Sequence, residues 1–342
     1  MTDSGSHAPV DQLRRDADVR VVADVDANAE APDARSGMRG HVSSVRARMR
    51  ARLLTCTLVA SAFSLLGLFV APTALAVRPG LVVERHLAPE APEVPVGDRQ
   101  ITIVRVDLRA YRLRFLTEAR HGPRRPAPAW ARDHRLAGVS NAGMFLPSGR
   151  SVGFMVQDGD VVSNRRVTKY RGTIGFEERA GAASSTRTSD ATAPPEALEV
   201  GGPGCPASDV DGFAARFRNV LQAYLLVDCA GRAMPWPNRK RFSAAAFGRD
   251  REGRAVFVHV RTPYRMEVFN RMLANPTFGI RGLIYLEGGP ESSLYVDAEG
   301  QRVTEVGSYE TGFYESDANR AYWDLPNVVA FEARGGTSEI RP

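Results

Sequence analysis

Residues 283–296 read Leu-Ile-Tyr-Leu-Glu-Gly-Gly-Pro-Glu-Ser-Ser-Leu-Tyr-Val, two apolar runs of strand length joined by one short polar turn. The turn carries an acid (Glu287), two glycines (Gly288, Gly289), a second acid (Glu291) and two hydroxyls (Ser292, Ser293). Two strands that both want burial constrain the chain strongly, because the turn between them must lie at the rim of a core. Glycine there lets backbone approach a ligand without a Cβ in the way, and loops held by rigid strands are where binding groups concentrate. The segment therefore reads as a site rather than a linker.

The amino-terminal third says where such a site operates. Residues 53–77 contain no charged side chain, Arg50 and Arg52 lie just before them, and Ala74-Leu75-Ala76 has the small-x-small form of a signal-peptidase site. Residues 49–77 are thus a signal peptide or a transmembrane anchor, and the length suits either. Met49 would open an ordinary signal peptide, which makes residues 1–48 a misannotated extension or a disordered cytoplasmic tail poor in aromatics. Cys56 stands at the start of the apolar run after Thr55, which is the wrong place for a lipoprotein anchor. The expectation is a chain exported to the periplasm or beyond, or anchored facing outward, with membrane contact through residues 53–77 if the signal is uncleaved.

Export gives meaning to the two remaining cysteines. Thiols pair in an oxidising compartment, so Cys205 and Cys229 are expected to form a disulfide. There is no CxxC and no HExxH, and the histidines are scattered, so no metal site is expected. No cofactor is called for, with a divalent cation left open. The formal charge of +6 comes from dispersed arginine rather than a stripe with interleaved aromatics, which argues against nucleic acid. It suits an anionic envelope polymer or a phosphate-bearing substrate.

Prolines in residues 78–100 suggest a spacer, and from residue 101 the pattern is rich in strands. Ile101 to Leu108 alternates with period two, and Tyr111 to Leu116 does so again, which predicts a hairpin. A second hairpin is predicted over residues 153–162, with Asp158-Gly159 as its turn. Residues 177–202, rich in Ala, Ser, Thr, Gly and Pro, read as a flexible surface insertion. Strands continue at 221–228, 244–248 and 255–261, and His259 reads as a strand residue. Thr262-Pro263 looks like a helix start, with Met266, Phe269 and Leu273 at helical spacing and Asn275-Pro276 as the stop.

Two further polar clusters accompany the acidic turn. Asn141-Ala142-Gly143-Met144-Phe145 follows an apolar run, and Asn238-Arg239-Lys240-Arg241-Phe242-Ser243 precedes the run Ala244-Ala245-Ala246-Phe247-Gly248. A guanidinium such as Arg241 is the natural clamp for phosphate, because its planar fork matches two oxygens.

In order, Asn-Ala-Gly-Met-Phe, Val-Gly-Phe-Met-Val-Gln-Asp-Gly, a basic residue before Ala-Ala-Phe-Gly-Arg-Asp-Arg-Glu-Gly-Arg-Ala-Val-Phe-Val, and Tyr-Leu-Glu-Gly-Gly-Pro-Glu-Ser-Ser-Leu-Tyr-Val resemble the phosphodiester glycosidase domain. This is the family of the lysosomal uncovering enzyme, and the likeness is to its bacterial, envelope-directed branch. It covers about 101–333, leaving 334–342 as a tail. The resemblance implies an α+β fold with mixed β-sheets and short flanking helices, and the uncharged run at 53–77 sets a single N-terminal hydrophobic helix ahead of it. It also implies hydrolysis of a sugar–phosphate bond in a phosphate-containing glycan. It carries Asn141 and Gly143 over from the first motif, Arg241 from the basic motif, and Glu287, Gly288, Gly289, Ser292 and Ser293 from the last. Glu287 stands where the family usually has Asp, and Gln222-Ala223-Tyr224-Leu225 stands where many relatives have Gln-Ser-Gly-Pro. Glu287, Arg241 and Asn141 are then the expected catalytic residues. The amides around Gly288 and Gly289 would face phosphate beside Arg241, and Glu291 is a candidate second carboxylate. A glycan-binding or envelope-assembly protein that keeps the fold without turnover is the alternative.

Overall fold

The computed structural model describes residues 80–181, 197–206, 209–236, 238–309 and 317–335. The extension 1–48, the hydrophobic segment 49–77 and residues 182–196 within the expected insertion lie outside the described residues. No helix among the described residues is long and apolar enough to cross a membrane.

Most of the described chain is β-sheet, in three sheets. The first has the order β1 (Leu81–Leu87), β2 (Gln100–Val106), β12 (Ala255–Arg265), β11 (Arg241–Asp250), β13 (Ile280–Gly288), β10 (Leu225–Val227). The second runs β15 (Gln301–Val306), β14 (Ser293–Ala298), β4 (Gly138–Asn141), β16 (Asn327–Ala333), β3 (Tyr111–Thr117). The third runs β6 (Asp160–Ser163), β5 (Met155–Gln157), β9 (Phe217–Ala223), β7 (Gly172–Glu178), β8 (Leu198–Gly201). All ladders among the described strands are antiparallel, so the sheets are not the mixed ones expected.

Period two explains how the sheets stack. In the first sheet Val104 and Val106, Ala245 and Phe247, Phe257, and Ile284 and Leu286 point to the central core. Their neighbours Ile101 and Ile103, Ala244 and Ala246, Val256 and Val258, and Leu283 and Tyr285 point to the opposite face. Both faces are buried, so these strands read as continuous apolar runs. The central core also takes Phe115 and Phe331 from the second sheet and Ile174 and Phe176 from the third. Rings cross it in contact: Phe115 to Phe176 at 4.8 Å, Phe247 to Phe257 at 4.7 Å and Phe257 to Phe331 at 5.4 Å.

After the single helical turn α1 (Glu118–His121), three short helices among the described residues cover the far faces. Trp130 of α2 (Ala127–His134) packs on the second sheet with Leu116, Val139 and Val328. Phe213 of α3 (Val210–Arg216) packs on the third with Phe217 and Val220. Met266, Phe269 and Leu273 of α4 (Met266–Leu273) pack on the first.

Four expectations need correction. Strands β2 and β3 do not form a hairpin: β2 pairs with β1 and β12, whereas β3 pairs with β16 in another sheet. Residues 81–87, expected in the spacer, are the edge strand β1, and apart from Pro79 the spacer's prolines follow it. Residues 198–201 of the expected insertion are strand β8, paired with β7. Finally, Thr262-Pro263 does not open the helix. Strand β12 continues to Arg265, and Pro263 sits where the β11–β12 register shifts between Phe242 and Ala244. A bulge tolerates a residue with no N–H to give the ladder. The 153–162 hairpin is present, with Gln157 opposite Asp160 and positive φ at Asp158 (52°) and Gly159 (96°), as a tight two-residue turn requires.

Candidate active site

Strand β13 belongs to the first sheet and β14 to the second, so the acidic glycine turn is the crossover between them. Glu287 pairs with Ala245 and Gly288 with Ala244, but the next matched pair is Tyr285 with Ala246. A bulge at that point re-aims the end of the strand. Glu287 is only 6% exposed, and one of its oxygens accepts the Gly288 N–H at 3.0 Å. The Gly288 amide, expected to face a phosphate, is therefore turned to the carboxylate.

The turn is pinned from several directions. Gly289 has φ of 64°, a conformation that favours glycine. Its carbonyl accepts the Ser243 hydroxyl at 3.0 Å and the Ser292 hydroxyl at 3.1 Å. The Ser293 hydroxyl donates to the Glu291 carbonyl at 3.1 Å, and both Ser292 and Ser293 are fully buried. Their hydroxyls shape the turn. Buried His259 of β12 adds a further contact, its Nε2 3.3 Å from Ser292 Oγ, and burial pushes the imidazole pKa down.

Asn141 reaches the same turn from the end of β4. Its side-chain oxygen accepts the Ser293 N–H at 3.0 Å, and β4 pairs alongside β14 through Ser140 and Leu294. Its amide nitrogen is buried and has no hydrogen-bond partner among the described residues. An unmet buried donor costs about 1–3 kcal/mol, the mark of a group held for something other than stability. Gly143, two residues on, has φ of 75°, which lets the chain turn toward the third sheet.

Arg241 opens β11, two residues before Ser243. Its guanidinium bonds the Tyr309 hydroxyl and, at 3.1 Å, the Glu93 carboxylate, and both contacts push its pKa further up. Arg265 holds the other oxygen of Glu93 at 2.8 Å. The structure thus joins Asn141 directly to the acidic turn, while Arg241 meets it through its neighbour Ser243 and turns its charge to Glu93. Glu291 sits in the short 3₁₀ turn Gly289–Glu291 with a partly exposed side chain.

Sequence reasoning missed the third sheet's contribution. Tyr170 lies just before β7, and burial together with Tyr224 and the Glu287 carboxylate pushes its phenol pKa far up, so it stays protonated. Gln222 fixes the loop that carries it, accepting the Val167 N–H at 3.0 Å and donating to the Val167 and Tyr170 carbonyls at 3.2 Å each. The Cys205–Cys229 disulfide is present and ties the end of β8 to the end of β10. Among the described residues no group of three or more His, Cys, Asp or Glu side chains is placed to hold a metal ion.

A buried acid and an unpartnered amide thus belong to one pinned turn where the first sheet passes into the second, with a guanidinium two residues from Ser243, which the turn also holds. The family model for phosphodiester glycosidases matches residues 134–332, more than half of the chain, and the chain belongs to that family. Among solved structures, it is similar to the catalytic domain of zebrafish N-acetylglucosamine-1-phosphodiester alpha-N-acetylglucosaminidase, auto-inhibited there by its pro-peptide. The TM-score is 0.51 at 15% identity, covering 76% of this chain and 85% of that one. A hypothetical protein from Synechocystis gives a TM-score of 0.48 at 16% identity over 75% of this chain, which spans only 62% of that protein. A protein from Burkholderia pseudomallei gives 0.42 at 12% identity, covering 68% of this chain and 74% of that one. No curated protein matches the chain.

Proposed function

We propose that this protein hydrolyses the bond between the anomeric carbon of a sugar and a phosphodiester, outside the cytoplasm, on envelope or extracellular glycans. The observation that carries the reading is Glu287, a buried carboxylate in a pinned turn whose far end, at Ser293, is held by Asn141, within the stretch that matches the family.

Cleaving the anomeric C–O bond builds cationic character at the sugar and negative charge on the departing phosphate. Glu287 stabilises the first and takes the proton of the attacking water. The water oxygen bonds to the anomeric carbon, the C–O bond electrons go to the phosphate, and a free sugar and a phosphomonoester leave. A phosphate monoester departs easily, so its protonation matters little. Arg241 holds its oxygens, and Glu93 occupies the place at the guanidinium that a phosphate oxygen would take. The unmet Asn141 amide donates to a sugar hydroxyl. Ser292 and Ser293 position the turn. The disulfide and the apolar segment at 53–77 support export, since disulfides persist in oxidising compartments.

The test is release of free sugar from an α-linked sugar 1-phosphodiester. Glu287→Gln keeps the size and loses the charge, and its expected effect is a loss of turnover of at least about a hundredfold with the melting temperature retained. Turnover within a few-fold of wild type in a folded Gln variant overturns the assignment. Saturable binding with no product from the wild-type protein would mark a glycan-binding protein instead.

A further inference from the structure

Four aromatic side chains from four separate segments meet beside Glu287. Tyr170 lies in the loop before β7, Tyr224 at the junction of β9 and β10, Trp236 in the loop before β11 and Tyr285 on β13. Their rings are in sequential contact, Tyr170 to Tyr224 at 4.6 Å, Tyr224 to Trp236 at 4.7 Å and Trp236 to Tyr285 at 5.2 Å. Both ends of the row reach the acid. Tyr285 precedes Glu287 by two residues, and its hydroxyl lies 2.3 Å from where a Cβ on Gly288 would be. Tyr170 lies within electrostatic reach of the Glu287 carboxylate, which adds to burial and to Tyr224 in keeping its phenol protonated.

Two features separate this row from ordinary core packing. Tyr224 and Trp236, its middle members, are only partly buried, whereas the core rings Phe115, Phe176, Phe247 and Phe257 are fully buried. Two of its members also carry polar hydrogens with a poor acceptor or none. The Trp236 indole N–H is buried without a partner among the described residues, and the Tyr170 hydroxyl meets the Met144 sulfur at 3.8 Å, a weak acceptor. Buried Tyr and Trp normally find an acceptor. Flat apolar faces bordered by unmet donors match a pyranose, which presents C–H bonds on one face and hydroxyl oxygens round its edge.

We propose that Tyr224 and Trp236, backed by the buried rings of Tyr170 and Tyr285, form the sugar-binding wall of the site and take the apolar face of the pyranose ring of a glycosyl phosphate, with the Trp236 N–H donating to a sugar hydroxyl. The assignment rests on the hydrolase reading for its ligand class. It makes the wall, rather than the phosphate clamp at Arg241, the part that selects the sugar.

The experiment is calorimetric titration of the full-length protein with N-acetylglucosamine 1-phosphate and, separately, inorganic phosphate, for wild type, Trp236→Ala, Tyr224→Ala and Trp236→Phe. Wild type is expected to bind the sugar phosphate at least about tenfold more tightly than inorganic phosphate. Trp236→Ala and Tyr224→Ala should remove that preference and leave phosphate affinity unchanged, while Trp236→Phe, which keeps a ring, should retain most of it. Tryptophan fluorescence should change on adding the sugar phosphate to wild type and not to Trp236→Phe, a reading that stands even if the alanine variants fail to fold. Equal loss of both ligands in the folded variants, no preference in wild type, or a preference untouched by Trp236→Ala overturns the proposal. Absence of turnover in wild type, with the sugar preference still lost in Trp236→Ala, removes the hydrolase reading and leaves the wall standing.

Discussion

At Gly288 there is no room for a side chain. A Cβ there would lie 2.3 Å from the Tyr285 hydroxyl and 2.9 Å from the Ser243 carbonyl, although the backbone itself is extended and open to any residue. Gly288→Ala should therefore cost about 1–3 kcal/mol in chemical unfolding. Displacing the turn by an ångström should lower sugar release by about a hundredfold, measured as turnover in the folded variant. That Gly288 and Glu287 matter was legible from 283–296, because an acid and two glycines between buried runs have few innocent explanations. Tyr170 was not. It stands in an unremarkable loop, and only its fold neighbours Tyr224 and Glu287 give it a role. Tyr224, in the segment that departs from the family pattern, proves to stack between Tyr170 and Trp236, while Gln222 beside it anchors the Tyr170 loop.

Among the elements, β8 and β10 lie at edges of two different sheets and are joined by the Cys205–Cys229 disulfide across 24 positions of sequence. Reducing it should lower stability by about 2–4 kcal/mol, read as the shift in denaturant unfolding with and without dithiothreitol. A Cys205→Ser, Cys229→Ser double variant should unfold at the same point with or without the reductant. The 153–162 hairpin was legible because its turn chemistry is local. Strands β2 and β3 were assigned correctly as strands and wrongly as partners, since alternation records which faces are buried and not which neighbour supplies the hydrogen bonds. The early helix start has the same origin. Thr262-Pro263 has the local chemistry of a cap, but pairing of Tyr264 and Arg265 with β11 keeps the chain extended until Met266.

Over the whole molecule, ion pairs link distant segments and set the response to acid. Burial raises the pKa of Glu84, but hydrogen bonds from Arg105 and His86 more than offset it, so the net shift is downward. Asp317 is lowered in the same way, with burial opposed by Arg261 and Ser308. For a carboxylate depressed in the folded state, the stabilisation is complete above the unfolded value and disappears as pH falls through the folded one. The melting temperature should therefore hold steady above about pH 5 and decline below about pH 4, and Asp317→Asn should flatten that decline. The buried Arg105–Asp250 pair makes a sharper test: Arg105→Met strips one partner from a fully buried carboxylate and should cost about 3 kcal/mol in denaturant unfolding. The sequence by itself determined most of the strands, though not β1 or β8, that an acidic glycine turn joins two buried strands, that two cysteines pair and which family the four ordered motifs resemble, because each depends on neighbours in the chain or on motif order. Only the tertiary structure decided that three antiparallel sheets share one core, that β13 crosses into β14 beside Asn141, and that Tyr170, Tyr224, Trp236 and Tyr285 meet in one row. Those arrangements rest on contacts between residues far apart in sequence, and burial and pairing energies there are set by which surfaces meet, which no local pattern encodes.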